Sequence, residues 1–327
     1  MKKSLKITLI FILIIGIINF ISPTYKCGEI ELKILYVGGI GHGNYSSIQD
    51  AINYSENGTI IHVYNGIYYE NLLINKSITL IGEDKYNTII DGNGTGTVIT
   101  IIANNLTVNG FTIQNSSLHY TDCFVSGLKI YSNYNIISDN IITNNQIGIS
   151  ISGDVCYHYF LLNFTNFTSI NNTIFDNLIT KNSIMGIGIY QSSNSTIYRN
   201  NITSNKLGIV NYISNDNYFY LNNFQNNSKN VNDLGKNFWF NKNLGNYYDD
   251  YIGLDKNNDG IGDTSYNIPG GDNIDEYPLM MPYDGTIQLK EFYVDYDSVF
   301  NMLILGIIIS IISVLPIAYY WRKKYFL

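Results

Sequence analysis

Asp139-Asn-Ile-Ile-Thr-Asn-Asn145, Asp176-Asn-Leu-Ile-Thr-Lys-Asn182, Arg199-Asn-Asn-Ile-Thr-Ser-Asn205 and Leu221-Asn-Asn-Phe-Gln-Asn-Asn227 are four versions of one phrase. Asn140, Asn177, Asn200 and Asn222 fall in register across them, as do Ile142, Ile179, Ile202 and Phe224. In three copies a Gly then opens a short apolar alternation, at Gly148-Ile-Ser-Ile151, Gly186-Ile-Gly-Ile189 and Gly208-Ile-Val210. The last two steps are 23 and 22 residues long and an insertion lengthens the first, so residues 135–227 form a repeat array.

Apolar residues alternate with Asn, Ser and Thr at a period of two, which is the pattern of a strand with one face inward. A coil of about 22 residues built from short strands cannot bury its apolar face alone. It must stack on its neighbours at the ~4.8 Å spacing of hydrogen-bonded strands, as a parallel β-solenoid. Asn at the equivalent bends suits a left-handed backbone, and stacked Asn amides can bond up the column as a ladder. Asn140, Asn177, Asn200 and Asn222 are the expected ladder.

Working outward, residues 1–25 have a basic start and an apolar run, the pattern of a secretory signal. The solenoid with its N-terminal cap is expected over 31–245. Its cap is a short amphipathic helix opened by a capping box at Ser46-Ser-Ile-Gln49, with Ile48, Ala51 and Ile52 on one face. Insertions around 116–126 and 152–168 break the rhythm. After Trp239 the pattern stops, and an Asp- and Tyr-rich stretch, 246–280, is expected to close the far end. A spacer (281–298) leads to an apolar run at 299–321, long enough for a transmembrane helix, and a basic tail at 322–327. The expected topology is single-pass in the cell membrane, with the ectodomain outside and the C-terminus cytoplasmic.

The net charge of −7 and pI near 5.0 argue against a nucleic-acid partner. Arg199 is the only Arg outside the tail. Asn-x-Ser/Thr triplets, among them those at Asn44, Asn75, Asn163 and Asn201, permit glycosylation of an external protein.

Three groups carry candidate chemistry. Cys123 and Cys156 lie one in each insertion and suit a disulfide in an oxidising compartment. Joined with His119 and His158, they would instead make a soft metal site. Asp255, Asn257, Asp259, Ile261 and Asp263 occupy positions 1, 3, 5, 7 and 9 of a Ca²⁺ loop with Gly260 at its turn, but Tyr266 replaces the bidentate Glu at position 12. Glycoside hydrolysis needs two facing carboxylates. The stacked Asp139 and Asp176 are the nearest approach to such a pair, and a bend-forming role suits them better. No catalytic residue is assigned. Exposed Tyr and Asn point instead to glycans or surface proteins as partners.

Leu35-Tyr-Val37, Tyr45-Ser-Ser-Ile-Gln-Asp-Ala-Ile52, Val63-Tyr-Asn-Gly-Ile-Tyr-Tyr-Glu-Asn71, Lys76-Ser-Ile-Thr-Leu-Ile-Gly-Glu83 and Ile89-Ile-Asp-Gly-Asn93 open the solenoid. Gly245-Asn-Tyr-Tyr-Asp-Asp-Tyr251, Asp259-Gly-Ile-Gly-Asp263, Asn267-Ile-Pro-Gly-Gly271 and Tyr277-Pro-Leu279 close it. Together these segments resemble the NosD-type family of right-handed parallel β-helices with PbH1 repeats. The resemblance implies an all-β parallel β-helix of the carbohydrate-binding and sugar-hydrolase type, found in surface proteins of methane-producing archaea. It also implies copper binding and a role in maturing nitrous-oxide reductase, for which the chain offers no Met-rich or His-rich cluster. The expected function is a non-catalytic, adhesin-like or glycan-binding surface protein. Metal handling or polysaccharide processing is the alternative.

Overall fold

The computed structural model describes residues 33–118, 125–151 and 169–285. Short strands assemble into three parallel sheets, each coil giving one strand to each in turn. Sheet I has eight strands from Ile34–Val37 to Tyr218–Tyr220, sheet II eight from Gly66–Tyr69 to Tyr247–Tyr248, and sheet III seven from Leu72–Ile74 to Lys229–Asp233. The chain is thus a parallel β-helix. The row that the repeat predicts is present, with Ile142, Ile179, Ile202 and Phe224 opposite one another in sheet II. All four are fully buried, as are Ile137, Ile174, Ile197 and Phe219 of sheet I and Ile149, Ile187 and Ile209 of sheet III. Each coil therefore supplies one large apolar side chain from each wall, and stacking turns these into a continuous core.

Three polar columns run up the corners. Between sheets I and II, each Asn Oδ1 accepts from the backbone N–H and from Nδ2 of the Asn one coil earlier. Asn177 takes Asn140 (3.0 and 3.2 Å), Asn200 takes Asn177 (3.1 and 3.0 Å), and Asn222 takes Asn200 (3.0 and 3.0 Å). A second column, Asn145, Asn182, Asn205 and Asn227, repeats this between sheets II and III. A third joins Asn135, Asn172, Ser195, Asn217 and Asn237 between sheets III and I. Bends buried in a solid core would otherwise orphan their backbone groups. Among the described residues, Asn211 Oδ1 is the one buried side-chain polar atom without a partner.

Two local readings change. The left-handed residue at these corners is the one before the ladder Asn. Asp139, Asp176, Arg199 and Leu221 have φ near +55°, whereas the ladder Asn residues do not have positive φ. Asn is selected here for its two-sided amide, which runs along the stack while its neighbour absorbs the turn. The helix Ile48–Tyr54 begins one residue later than the capping box implies. Ser47 is the N-cap, and its Oγ accepts from Asp50 N. Glu70 Oε1 and Oε2 accept from Ile48 N and Gln49 N. Lys76 Nζ donates to the carbonyls of Ile52, Asn53 and Ser55 at the other end. A carboxylate at the helix start and an ammonium at its end both complement the orphan groups and the dipole.

The stack also continues beyond Trp239, which lies buried on Phe219 (4.2 Å between ring centroids). Tyr247–Tyr248 adds a strand to sheet II, and Asn246 adds a rung to the first ladder. Each ladder points its N–H donors toward this end, so each needs an acceptor there. Asp275 Oδ2 accepts from Asn246 N (2.7 Å), Asn246 Nδ2 (3.1 Å) and Tyr248 Oη (3.2 Å). Asp233 accepts from Asn237 and from Trp239 Nε1 (2.7 Å). Asp249 and Asp250 accept from Asn230, which itself takes Asn227. Gly245 is required where the cap closes, because a Cβ there would fall 2.0 Å from Asp275 Oδ1.

Among the described residues no helix is long and apolar enough to cross a membrane. The expected signal at 1–25 and membrane span at 299–321 lie outside the described residues.

Candidate functional site

The strands Thr173–Phe175, Thr196–Tyr198 and Tyr218–Tyr220 each end on an aromatic residue that points outward from sheet I. Parallel register brings these together as a column, with Phe175 stacked on Tyr198 (5.1 Å, 12°) and Tyr198 on Tyr220 (5.2 Å, 8°). The next residues are the left-handed corner residues Asp176 and Arg199. Arg199 Nε and Nη2 grip Asp176 at 2.9 and 2.5 Å, and the guanidinium carbon lies 5.1 Å from the Tyr198 ring centre and 5.7 Å from that of Phe175. The returning segment passes beside them: Tyr283 N donates to Asn223 Oδ1 (2.7 Å) and its carbonyl accepts from Asn223 Nδ2 (2.9 Å), which also donates to Asn201 Oδ1 (2.6 Å).

The electrostatics follow from this packing. Burial pushes the Tyr198 hydroxyl up, against the pull of Arg199. Burial works to lower Arg199, but the hydrogen bond and charge of Asp176 outweigh it and raise the guanidinium further. The arginine stays charged and keeps donors that Asp176 does not take. Because the three rings lie face to face, they offer solvent their edges and hydroxyls rather than open faces. That differs from the sugar-stacking platform that exposed Tyr residues suggest. The in-register Phe175, Tyr198 and Tyr220 were visible in the sequence; Tyr283 was not, since only the fold brings it here.

The other candidates fare differently. Asp139 and Asp176 do lie in adjacent coils, but each faces its own cation, Lys85 Nζ (2.5 Å) and Arg199. In the loop 255–263, Asp255 accepts from Asp259 N and Gly260 N, Asn257 and Asp259 from Asp259 N and Ile261 N, and Asp263 from Lys256 N. His119, Cys123, Cys156 and His158 lie outside the described residues. Among the described residues no group of three or more His, Cys, Asp or Glu could hold a metal ion. Of the soft donors, His62 packs edge-on between Tyr36 and Tyr64 on sheet I, and Met185 Sδ on sheet III accepts from Tyr190 Oη (3.5 Å). His62 and Met185 lie on different sheets, so these two described residues do not share a copper site.

Comparison with known proteins bears on the fold and the family. Residues 52–253 match the family model for the periplasmic copper-binding protein NosD. A probable ABC transporter binding protein NosD from Stutzerimonas stutzeri is 32% identical over 123 residues, which is 37% of this chain and 28% of that protein. The chain thus matches under a third of that relative's length. Among solved structures, a pectin methylesterase in complex with a hexasaccharide has a TM-score of 0.41 at 15% identity, over 56% of this chain and 65% of that one. Pectin methylesterase PemA from Erwinia chrysanthemi has a TM-score of 0.40 at 14% identity, over 62% and 71%. At such scores these two carry no argument about activity. More than half of the sequence lies within the family model and the three sheets form a parallel β-helix, so the chain belongs to the NosD family.

Proposed function

We propose that the protein is a non-catalytic β-helix held outside the cytoplasm by a C-terminal anchor, and that it binds glycans at the corner of sheets I and II. The observation that carries this reading is the Asp176–Arg199 pair set on the Phe175–Tyr198–Tyr220 column. Phenol hydroxyls, ring edges and spare guanidinium donors in a row suit a chain of hydroxyl groups. The ion pairing of Asp139 and Asp176 with separate cations supports binding over hydrolysis. The periplasmic description of the family supports the location, and the apolar run 299–321 supports the anchor.

Full-length protein in detergent, passed over an array of neutral and acidic glycans, is expected to be retained. Arg199→Ala should lower retention at least tenfold while the melting temperature stays put. Release of a shortened glycan would overturn the non-catalytic part, and no retention on any glycan would overturn the binding.

A further inference from the structure

Asn105-Leu-Thr107, Asn171-Asn-Thr173 and Asn194-Ser-Thr196 share one place in three coils, the corner where sheet III passes into sheet I. In each, the first residue is left-handed, with φ of 56°, 57° and 55°. The second is fully buried (Leu106, Asn172, Ser195) and occupies the column position. The third begins a strand of sheet I and faces partly outward. The grammar that builds the corner therefore turns both the amide and the hydroxyl of an Asn-x-Thr triplet toward solvent. At several other triplets the fold consumes the amide or the hydroxyl. Asn44 Nδ2 donates to Gly38 O (2.6 Å) and Asn115 Nδ2 to Asp91 Oδ2 (2.8 Å). The hydroxyl residues Ser55, Thr59 and Ser117, which complete the triplets at Asn53, Asn57 and Asn115, are buried.

We propose that this corner is a stripe of N-glycosylation, at Asn105 and at Asn171 or Asn194; it rests on the extracytoplasmic location proposed above. In the transfer, Nδ2 displaces phosphate oxygen at the anomeric carbon of a lipid-phosphate-linked oligosaccharide. The N–C1 bond forms, the C1–O bond breaks, the lipid phosphate leaves with the electron pair, and the amide loses one proton. Asn171 and Asn194 sit in adjacent coils, joined by Asn171 N to Ser193 O (3.2 Å). Their Cα atoms are about one strand spacing, ~4.8 Å, apart, too close for two glycans. Asn105 lies two coils away from Asn171, with Tyr134 between. The stripe thus carries two glycans per chain.

Glycopeptide mass spectrometry on protein from its own cells, paired with protease accessibility on intact cells, tests this. Expected are a modified Asn105, one of Asn171 and Asn194 modified per molecule, and unmodified Asn44 and Asn115. Thr196→Val, which keeps the left-handed Asn194, should move that glycan wholly to Asn171. Unmodified stripe residues in accessible protein overturn the stripe, and both Asn171 and Asn194 modified on one molecule overturns the spacing argument. Protein inaccessible from outside overturns the location, and the stripe with it.

Discussion

The middle coils and the C-terminal cap solve the same problem with different groups. In the middle coils, bends buried between three sheets are satisfied by neutral amides, because Asn offers an acceptor to the coil before it and donors to the coils around it. At the cap there is no following coil to donate to, so the last donors run, directly or through Asn230 and Asn273, to carboxyl groups: Asp275, Asp233, and Asp249 with Asp250. Aligned N–H donors also favour an anion at that end, as they do at a helix start. A repeat can thus propagate without charge, but stopping it takes carboxylates.

The largest effect is expected inside the ladder. Asn177→Ala removes the acceptor for Asn140 N and Nδ2 and the donor to the carbonyls of Ile137 and Phe175, all in a dry interior. Several buried groups lose partners at ~1–3 kcal/mol each, so a loss of about 3 kcal/mol or more is expected in denaturant melts. A loss below ~1 kcal/mol would mean that water enters the corner and the ladder matters little.

The cap should respond to pH where the ladder does not. Burial pushes the Asp275 carboxyl up to about 7, against the hydrogen bonds from Asn246, Tyr277 and Tyr248. The fold then keeps a proton that the unfolded chain releases near its ordinary value of 3.8. Stability should accordingly fall as pH rises from about 4 to about 7 and level off above, by roughly 1.4 kcal/mol per unit at most. Asp275→Asn should flatten this slope; an unchanged slope would assign it to another group.

The smallest effect on stability is expected in the loop 255–263, the part of the cap not tied to a ladder. Asp259 is exposed, so Asp259→Asn should change stability by no more than ~0.5 kcal/mol. The loop's carboxylates accept from its own backbone N–H groups, so terbium luminescence should be the same in the parent protein and the variant. A signal that saturates in the parent and falls away in the variant would put an ion in this loop.

Much of this architecture was legible in order along the chain. Asn140, Asn177, Asn200 and Asn222 in register, beside Ile142, Ile179, Ile202 and Phe224, mark stacked coils. Asn145, Asn182 and Asn205 close the same phrases and mark a second column just as openly. The third column was harder to see, because Ser195 interrupts its Asn residues. The left-handed residue was misplaced by one because Asp, Arg and Leu occupy it as well as Asn, and the corner imposes a conformation that local preference would not choose. Glu70 and Lys76 stood out as family-like segments, yet their work as caps on a helix some twenty residues earlier is a contact only the fold makes.

By itself, then, the sequence determined that the chain stacks, which residues face the core and where the rhythm breaks. Those properties depend on period and register, which are local and repeated. The tertiary structure decided which polar groups meet. Asp275 became an acceptor for Asn246, Tyr283 came beside Arg199, and Asn105, Asn171 and Asn194 lined one corner. Such meetings depend on how many residues each coil spends on its turns, a sum over the whole chain that no single repeat records.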